Sequence, residues 1–185
     1  NIFHRKDFKY YSQAPKTFER VIQVWDMSFK EGQDNSFVVG QVWGRVDQKN
    51  YLIYQYRKQV SFNEARRAVV MVSHLYPHAR KIYVEDKANG PAIVNSLEKA
   101  FPNTLELYNP GSASKESKWI SVSPIVEMGA VYVPDPVENP WVVVFLDECD
   151  KVPNATFDDQ ADAMAIALTI LDGKSLEKFK KFLKF

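Results

Sequence analysis

Acidic side chains follow two apolar runs of this sequence. Residues 21–26 (V-I-Q-V-W-D) end on Asp26, and residues 82–86 (I-Y-V-E-D) end on Glu85 and Asp86. Short runs rich in β-branched and aromatic residues predict strands, and ligands of open α/β sheets bind where such strands end. Because strand side chains alternate between faces, Asp86 occupies in its run the position that Asp26 occupies in the other. We therefore predict Asp86 as the site residue and Glu85 as its flank.

A third acidic group opens a predicted helix over residues 158–171. It contains Asp158, Asp159 and Asp162 (D-D-Q-A-D), and the last two share a helix face because they are three residues apart. Carboxylates at a helix N-terminus also serve as caps and are stabilised by the helix dipole, so an ordinary helix start is the alternative. Three acids exceed what a cap needs, and the alanine-rich stripe beyond them lets the helix lie close to a sheet.

Convergence of Asp26, Asp86 and Asp159 would have a chemical consequence. Carboxylates gathered without Lys or Arg among them repel one another and need divalent cations. Oxygen ligands without nearby His or Cys suit Mg²⁺ or Mn²⁺ better than Zn²⁺. Two such ions ~4 Å apart activate a water and stabilise the leaving oxygen of a phosphodiester. The acids therefore predict nuclease chemistry with two metal ions.

Other catalytic centres find little support. The histidines His4, His74 and His78 stand apart from every acidic group, and Cys149 has no base beside it. Residues 173–175 (G-K-S) end like a phosphate-binding loop, but the first glycine of such a loop would fall inside a predicted helix. We find no nucleotide-hydrolysing motif.

The composition is that of one soluble globular domain. Of the 185 residues, 45% are hydrophobic and 25% charged, and the net charge is +1, so nucleic-acid binding would have to come from local patches. A single cysteine excludes an internal disulfide and fits a reducing cytosol. No run reaches the ~18 apolar residues of a membrane span. The chain begins at Asn1 without an initiator Met, which we interpret as excision from a longer protein.

The predicted elements form a recognisable order. We expect residues 1–19 to be a linker or lead-in and residues 20–185 to form one domain. Three strands are followed by helix, strand, helix and strand and then by a late helix, which resembles a ribonuclease-H-like α/β fold. We predict a mixed sheet, three antiparallel strands followed by parallel ones, with helices on both faces. The elements are strands over 21–26, 36–44 and 51–57, a helix from the capping box at Ser61 to Pro77, strand 82–86, helix 91–100, strand 104–108, a short helix and strand within 119–133, strand 141–146, helix 158–171 ended by Gly173, and a basic tail helix capped by Ser175.

Four stretches run in order from Val24 to Ala163: V-W-D-M-S-F-K-E-G-Q-D-N-S, Y-V-E-D-K-A-N-G-P-A-I, K-E-S-K-W-I-S-V-S-P-I-V-E-M-G-A-V-Y-V-P and F-L-D-E-C-D-K-V-P-N-A-T-F-D-D-Q-A-D-A. Together they resemble the C-terminal nuclease domain of the large terminase subunit of tailed bacteriophages. E-D-K-A-N-G and D-D-Q-A-D-A are specific in combination. Proteins of that family are packaging motors that cut concatemeric viral DNA.

The resemblance implies a metal-dependent endodeoxyribonuclease that cuts double-stranded DNA. It implies Asp26, Asp86 and Asp159 as catalytic metal ligands for Mg²⁺ or Mn²⁺. Asp158 and Asp162 would be accessory ligands, and which acid of this trio takes the main role stays open. Many relatives carry a histidine before the acid pair; here it is Phe157, which argues against a histidine-assisted variant.

The resemblance also implies partners. They are double-stranded DNA, the ATPase domain of the same full-length chain, the portal and the small terminase subunit, all in the host cell cytoplasm. We expect the isolated domain to be monomeric and to bind DNA weakly and in a salt-sensitive way. Lys115 and Lys118, in a Gly/Ser-rich loop, are candidates to hold DNA phosphates, and a solvated loop is the alternative.

Two other functions remain open. A Holliday-junction-resolvase-like nuclease would prefer branched DNA and form an obligate dimer. A DNA-gripping or docking module with vestigial acids would bind DNA without metal. Two side predictions complete the set: Asp34 hydrogen-bonds its own turn, and the tail lysines contact DNA or another motor part or form a frayed helix end (Lys178, Lys180, Lys181 and Lys184).

Overall fold

The computed structural model describes residues 1–28 and 37–183, without the side chains of 174–180, 182 and 183. Asp34, Lys178, Lys180 and Lys184 lie outside the described residues or side chains, so the predictions about them stay predictions. The elements are β1 (Lys9–Tyr11), β2 (Arg20–Met27), β3 (Val38–Val46), β4 (Lys49–Lys58), α1 (Phe62–Leu75), β5 (Lys81–Glu85), α2 (Gly90–Leu97), β6 (Leu105–Tyr108), α3 (Lys115–Glu127), β7 (Val131–Pro134), α4 (Pro140–Lys151) and α5 (Asp159–Leu183).

The strands form one mixed sheet. In the described residues it has seven strands in the order β1-β7-β4-β3-β2-β5-β6. β2, β3 and β4 are an antiparallel meander, and β5 lies parallel to β2 with β6 parallel to β5. The predicted mixed sheet is therefore confirmed, including the adjacency of the first and fourth predicted strands. That adjacency brings the ends of β2 and β5 to one edge.

Helices cover both faces of the sheet. α1 and α2 bury one apolar cluster, to which Val69 and Ile93 contribute, against Trp25 and Val84. α3, α4 and α5 bury the other, larger cluster, which includes Val24 and Val39. We call this second side the α5 face. α5 packs directly on β2 and β3, so its N-terminal turn lies over the sheet.

The start of α1 follows the prediction from local sequence. Ser61 Oγ accepts from the backbone N–H of Glu64, and the Glu64 carboxylate accepts from the backbone N–H of Ser61, so the capping box is confirmed. The predicted apolar stripe is buried as far as Val72, whereas Leu75 is exposed. None of the helices in the described part of the chain combines the length and hydrophobicity needed to cross a lipid bilayer.

The N-terminal segment belongs to the folded core. Phe3 and Phe8 are buried, and β1 pairs in parallel with β7. We expected residues 1–19 to be a linker because they show no clean period. Their ordering depends instead on two separated aromatic anchors and on a strand partner more than a hundred residues away, which local patterns do not reveal.

Two predicted elements near the C-terminus were wrong. Residues 141–146 form part of helix α4, not a strand: Pro140 stands at its first turn, and Val142, Phe145 and Cys149 are buried at helical spacing. β-branched residues favour strands only weakly when packing decides otherwise. The late helix also does not end at Gly173, because α5 continues through it to Leu183.

Candidate metal centre

The register of two neighbouring strands decides which acids meet. β2 and β5 pair Val24 with Tyr83 and Trp25 with Val84, so the next step sets Asp26 beside Glu85. Both side chains lie on the α5 face and are buried, Asp26 with 1% and Glu85 with 6% of its surface exposed. The edge of the sheet thus brings together Asp26 and Glu85.

Asp86 does not join this group, and its selection over Glu85 is corrected. Its side chain is exposed, and its backbone N–H extends the ladder to β6 by donating to the Tyr108 carbonyl at 2.8 Å. The alternation within each strand was right, but the two strands are offset by one residue, and a one-residue offset exchanges the faces. Glu85, dismissed as a flank, therefore holds the inward position.

The turn after Glu85 requires close backbone contact. α2 begins at Gly90, where a Cβ atom would lie 2.1 Å from the Glu85 carbonyl oxygen. No side chain fits at that distance. Gly90 therefore allows the chain to reverse directly beneath the site, which keeps the end of β5 in place.

The N-terminus of α5 brings the third group of acids to the same edge. Asp159 and Asp162 are each 8% exposed, whereas the Asp158 side chain is 34% exposed. Trp119 of α3 donates its indole N–H to Asp162 Oδ1 at 2.9 Å, which orients that carboxylate. The structure thus brings Asp26, Asp159 and Asp162 towards one another as predicted, with Asp158 at the rim.

A residue that the sequence reasoning underrated holds this helix end. Glu148 of α4 accepts from the backbone N–H groups of Gln160 and Ala161 at 2.7 and 3.1 Å and also from the Gln160 side chain. Gln160 in turn accepts from Gln55 at 2.8 Å, and Gln41 donates to Gln55 at 2.9 Å. This amide chain ties the start of α5 to β3 and β4, so it fixes the position of Asp159. A buried Glu inside an apolar helix stripe was the available signal.

The Asp26 carboxyl is held in an unfavourable setting. Burial raises its pKa to about 8; Lys87 opposes this shift, whereas Glu85 and Asp159 add to it. Ser28 donates a hydrogen bond to Oδ1. Oδ2 is buried and has no hydrogen-bond partner among the described residues. An unsatisfied buried carboxylate oxygen is costly, and a cation supplied from outside would remove that cost.

The acids on α5 share this setting. Burial raises the pKa of Asp159, with Asp158 and Asp162 adding to the shift and Lys115 opposing it. Burial likewise raises the pKa of Asp162, which Lys115 opposes most strongly. Each carboxylate therefore makes ionisation of its neighbours harder, as expected for acids that share one site.

Two lysines stand among the acids, contrary to the expectation that the cluster lacks basic side chains. Lys87 Nζ is 3.4 Å from Glu85 Oε2 and 3.9 Å from Asp26 Oδ2. Lys115 Nζ is 2.8 Å from Asp158 Oδ1 and 2.6 Å from Asp162 Oδ2. Within the described residues no three acidic, His or Cys side chains already form a metal-ligand set. Here ammonium groups provide the positive charge that the carboxylates need.

A cleft of about 440 Å³ opens beside the acids. Its walls carry Lys87, Lys115 and Lys118 together with hydroxyl groups. The hydroxyl-bearing residues are Tyr108, Ser117, Ser121 and Thr169. Predicted phosphate-binding Lys118 thus lines the cleft, whereas Lys115 spans from the cleft to the acids.

The donor set suits a hard divalent cation. Asp26, Glu85 and Asp159 offer only carboxylate oxygens, which Mg²⁺, Mn²⁺ and Ca²⁺ prefer. The buried Asp26 Oδ2 is a ligand without a partner in the part of the chain that the structure describes. Movement of the lysine side chains, which are flexible and partly exposed, would free further oxygens.

Comparisons with known proteins agree with this geometry. Residues 23–170 match the family described as the Terminase RNaseH-like domain. The large terminase nuclease of thermophilic phage G20c with bound zinc is 17% identical at a TM-score of 0.63, covering 91% of this chain and 97% of that chain. Its magnesium-bound form gives 16% identity, a TM-score of 0.59 and coverages of 91% and 96%.

A longer protein shares the same fold. This large terminase, from another thermophilic bacteriophage, is 11% identical at a TM-score of 0.65, covering 92% of this chain and 44% of that chain. The present chain therefore spans less than half the length of that terminase. A search of curated proteins gives no match.

The family match and the fold likeness together decide the classification. The match covers well over half of the chain, and the likeness to the solved structures confirms the expected ribonuclease-H-like architecture. The protein belongs to the family of terminase RNase H-like domains.

Proposed function

We propose that this domain is a metal-dependent endonuclease that cuts concatemeric double-stranded DNA by phosphodiester hydrolysis within a viral genome-packaging motor. The observation that carries the proposal is the buried Asp26 carboxylate, whose Oδ2 has no hydrogen-bond partner among the described residues while Glu85 and Asp159 raise its pKa. A fold without a ligand to bind would gain stability by replacing such a group. The presence of the acid is therefore a cost that function explains.

In this proposal Asp26, Glu85 and Asp159 hold two ions of Mg²⁺ or Mn²⁺, and Asp158 and Asp162 are accessory ligands. Bound there, the ions supply Lewis acidity and an activated water. Trp119 holds the Asp162 carboxylate by its 2.9 Å hydrogen bond. Lys87 and Lys115 leave the carboxylates when the ions bind, and their ammonium groups then face the DNA phosphates along with Lys118. Magnesium in the G20c nuclease structure supports this choice of ion.

The partners are proposed from the family. The longer phage terminase, of which this chain covers 43%, has a structure in complex with ADP. We accordingly assign an ATPase domain to the full-length chain of this protein, the portal and the small terminase subunit as motor partners, and the host cell cytoplasm as location. The 185-residue domain itself is taken as a monomer.

Plasmid nicking tests the proposal. The domain is incubated with supercoiled plasmid in Mg²⁺, Mn²⁺ or EDTA beside Asp26→Asn, Glu85→Gln and Asp86→Asn. We expect metal-dependent nicking that is lost in the first two variants and retained in the third, because Asp86 is exposed and lies on the other face. Asp86→Asn is the matched control, since it removes one charge from the adjacent residue.

The outcomes separate the hypotheses. Equal nicking by the wild type and Asp26→Asn indicates a contaminating nuclease and contradicts the proposal. Loss of nicking in Asp86→Asn with retention in Glu85→Gln would contradict the geometric assignment of the second acid.

A DNA-gripping module is the second candidate, and the lysine contacts are the observation that favours it. Lys87 and Lys115 neutralise the carboxylates without metal. This hypothesis predicts DNA binding that is unchanged by EDTA and no cutting in either metal. Mg²⁺-dependent nicking excludes it.

A further inference from the structure

A basic side chain lies level with the acids on the far side of the sheet edge. β2 and β3 pair Asp26 with Val39, and β3 and β4 pair Val39 with Arg57. Directly paired residues of antiparallel strands point to the same face, so Arg57 projects on the α5 face like Asp26. Two strand spacings separate them, or roughly 10 Å. Arg57 is therefore a neighbour of the candidate metal centre.

Aromatic rings hold the Arg57 guanidinium in one place. Its central carbon lies 3.6 Å from the ring centroid of Phe37 and 5.7 Å from that of Phe157. The two rings meet edge to face, with centroids 5.0 Å apart. Cation–π contact with a ring face is stabilising and orients the planar group. Phe157, at the position where many relatives carry a histidine, thus forms part of the aromatic surface under Arg57.

The guanidinium has no anionic partner. In residues 1–28 and 37–183 Arg57 makes no ion pair and no hydrogen bond, and its Nε atom is buried without an acceptor. Arg45 and Arg5, in contrast, contact Asp172 at 2.6 Å and Asp147 at 2.7 Å. Glu148 senses the Arg57 charge only from beyond contact distance. A positioned guanidinium without an acceptor is ready for an external anion.

We propose that Arg57 binds a backbone phosphate of the DNA strand that passes over the acid cluster. The inference rests on the proposed function and adds a second anchor to it. Lys118 lines the cleft on the β5 side, and Arg57 stands on the β4 side, so the strand is gripped on both sides of Asp26. A phosphate matches the fork of guanidinium N–H groups and, unlike a carboxylate of the protein, arrives only with the substrate.

The test compares Arg57→Gln with Lys58→Gln. Lys58 is the next residue, exposed, and stacked on Tyr56 of the opposite face, so both variants lose one positive charge and only one loses it near the acids. Affinity for a short DNA duplex is measured in EDTA from about 20 mM to about 200 mM salt. We expect Arg57→Gln to bind about tenfold more weakly at low salt and to lower the slope of log K against log salt by about one. Lys58→Gln should match the wild type.

Equal slopes for the wild type and Arg57→Gln, or equal losses in both variants, overturn the proposal, as does the absence of measurable wild-type binding at the lowest salt concentration. Should Arg57→Gln fail to fold by circular dichroism, Phe37→Leu answers the same question, because it keeps the charge and apolar packing and removes the ring under the guanidinium. Weaker DNA binding of folded Phe37→Leu supports the proposal, and unchanged binding overturns it. Since no metal or cutting is involved, nicking by the wild type with unchanged binding in Arg57→Gln rejects this inference and leaves the nuclease intact.

Discussion

Two buried aspartates on the same face of the sheet contrast with each other. Asp172, near the turn that joins β3 and β4, lies 2.6 Å from Arg45 and accepts from Asn50 at 2.5 Å. Asp26, at the other end of the sheet, has an oxygen without any hydrogen-bond partner in the described residues and acids for neighbours. A satisfied buried acid stabilises the fold, whereas an unsatisfied one destabilises it until something binds. The difference separates a structural acid from a functional one.

The largest expected effect comes from exchanging charge for amide at both sites. Asp26→Asn should reduce metal-dependent nicking by on the order of 100-fold or more and stabilise the metal-free domain. Asp172→Asn should lower the free energy of unfolding by about 3 kcal/mol, because Arg45 then stays buried without its partner, while the folded protein still cuts. Urea unfolding in EDTA and plasmid nicking measure the two effects. Loss of cutting by folded Asp172→Asn would erase the contrast.

Stability without metal should depend on pH in the direction set by Asp26. Burial raises the pKa of Asp26 from 3.8 to about 8, so between these values the folded protein binds more protons than the unfolded chain. The free energy of unfolding must then fall as the pH rises, by on the order of a few kcal/mol between about pH 5 and about pH 8. Burial also raises the pKa of Glu148 to about 7, which adds to the fall.

Urea titrations of the wild type and Asp26→Asn in EDTA measure this dependence. The variant should show a flatter profile, because the contribution of Asp26 is gone while that of Glu148 remains. Stability of the wild type that rises with pH, or identical slopes in both proteins, would contradict the assigned burial of Asp26.

A smaller effect is expected from the residue that holds the start of α5. Glu148→Ala leaves two backbone N–H groups and the Gln160 amide without their acceptor, so it should cost about 2 kcal/mol of unfolding free energy. It should also reduce nicking, because Asp159 is no longer fixed. Glu148→Gln keeps one carbonyl oxygen and should retain more of both. Equal nicking by all three proteins would separate this network from the site.

Metal binding should produce the smallest change. Mg²⁺ at about ten times a dissociation constant of about 1 mM stabilises a protein by about 1.4 kcal/mol, which raises the melting temperature by roughly 2–4 °C for a domain of this size. Asp172→Asn should show the same increase from its lower starting point, and Asp26→Asn should show none. Scanning fluorimetry at mildly alkaline pH with Mg²⁺ or EDTA measures it. An increase that persists in Asp26→Asn would place the ion elsewhere.

The elements that followed from local sequence were those with local causes. The capping box at Ser61, the meander and the strand before Glu85 depend on residues close in the chain, and each was predicted. α4 was not, because its W-V-V-V-F-L run is typical of a strand and only the packing of Phe145 on the α5 face makes it a helix. The identity of the second acid also escaped, since it depends on how two strands align, which neither strand encodes alone.

Partners from distant elements explain the remaining errors. Glu148 is buried because the N-terminus of α5 needs an acceptor, and Lys87 and Lys115 enter the cluster because the acids attract them. Asp26 and the α5 acids were predicted to converge because each one ends or begins its own element. Positions fixed by one element were therefore predictable, and positions fixed by the contact between two elements were not.

The missing Cβ atom of Gly90 has a consequence for laboratory evolution. Any side chain there would collide with the Glu85 carbonyl at 2.1 Å, whereas Asp86, four residues earlier, faces solvent. A randomised library over residues 85–90 that is selected for DNA cutting should therefore return glycine at the last position in almost every surviving clone, while the second position drifts freely. The loop next to the acids can be redesigned for new substrates only if its final residue is left alone.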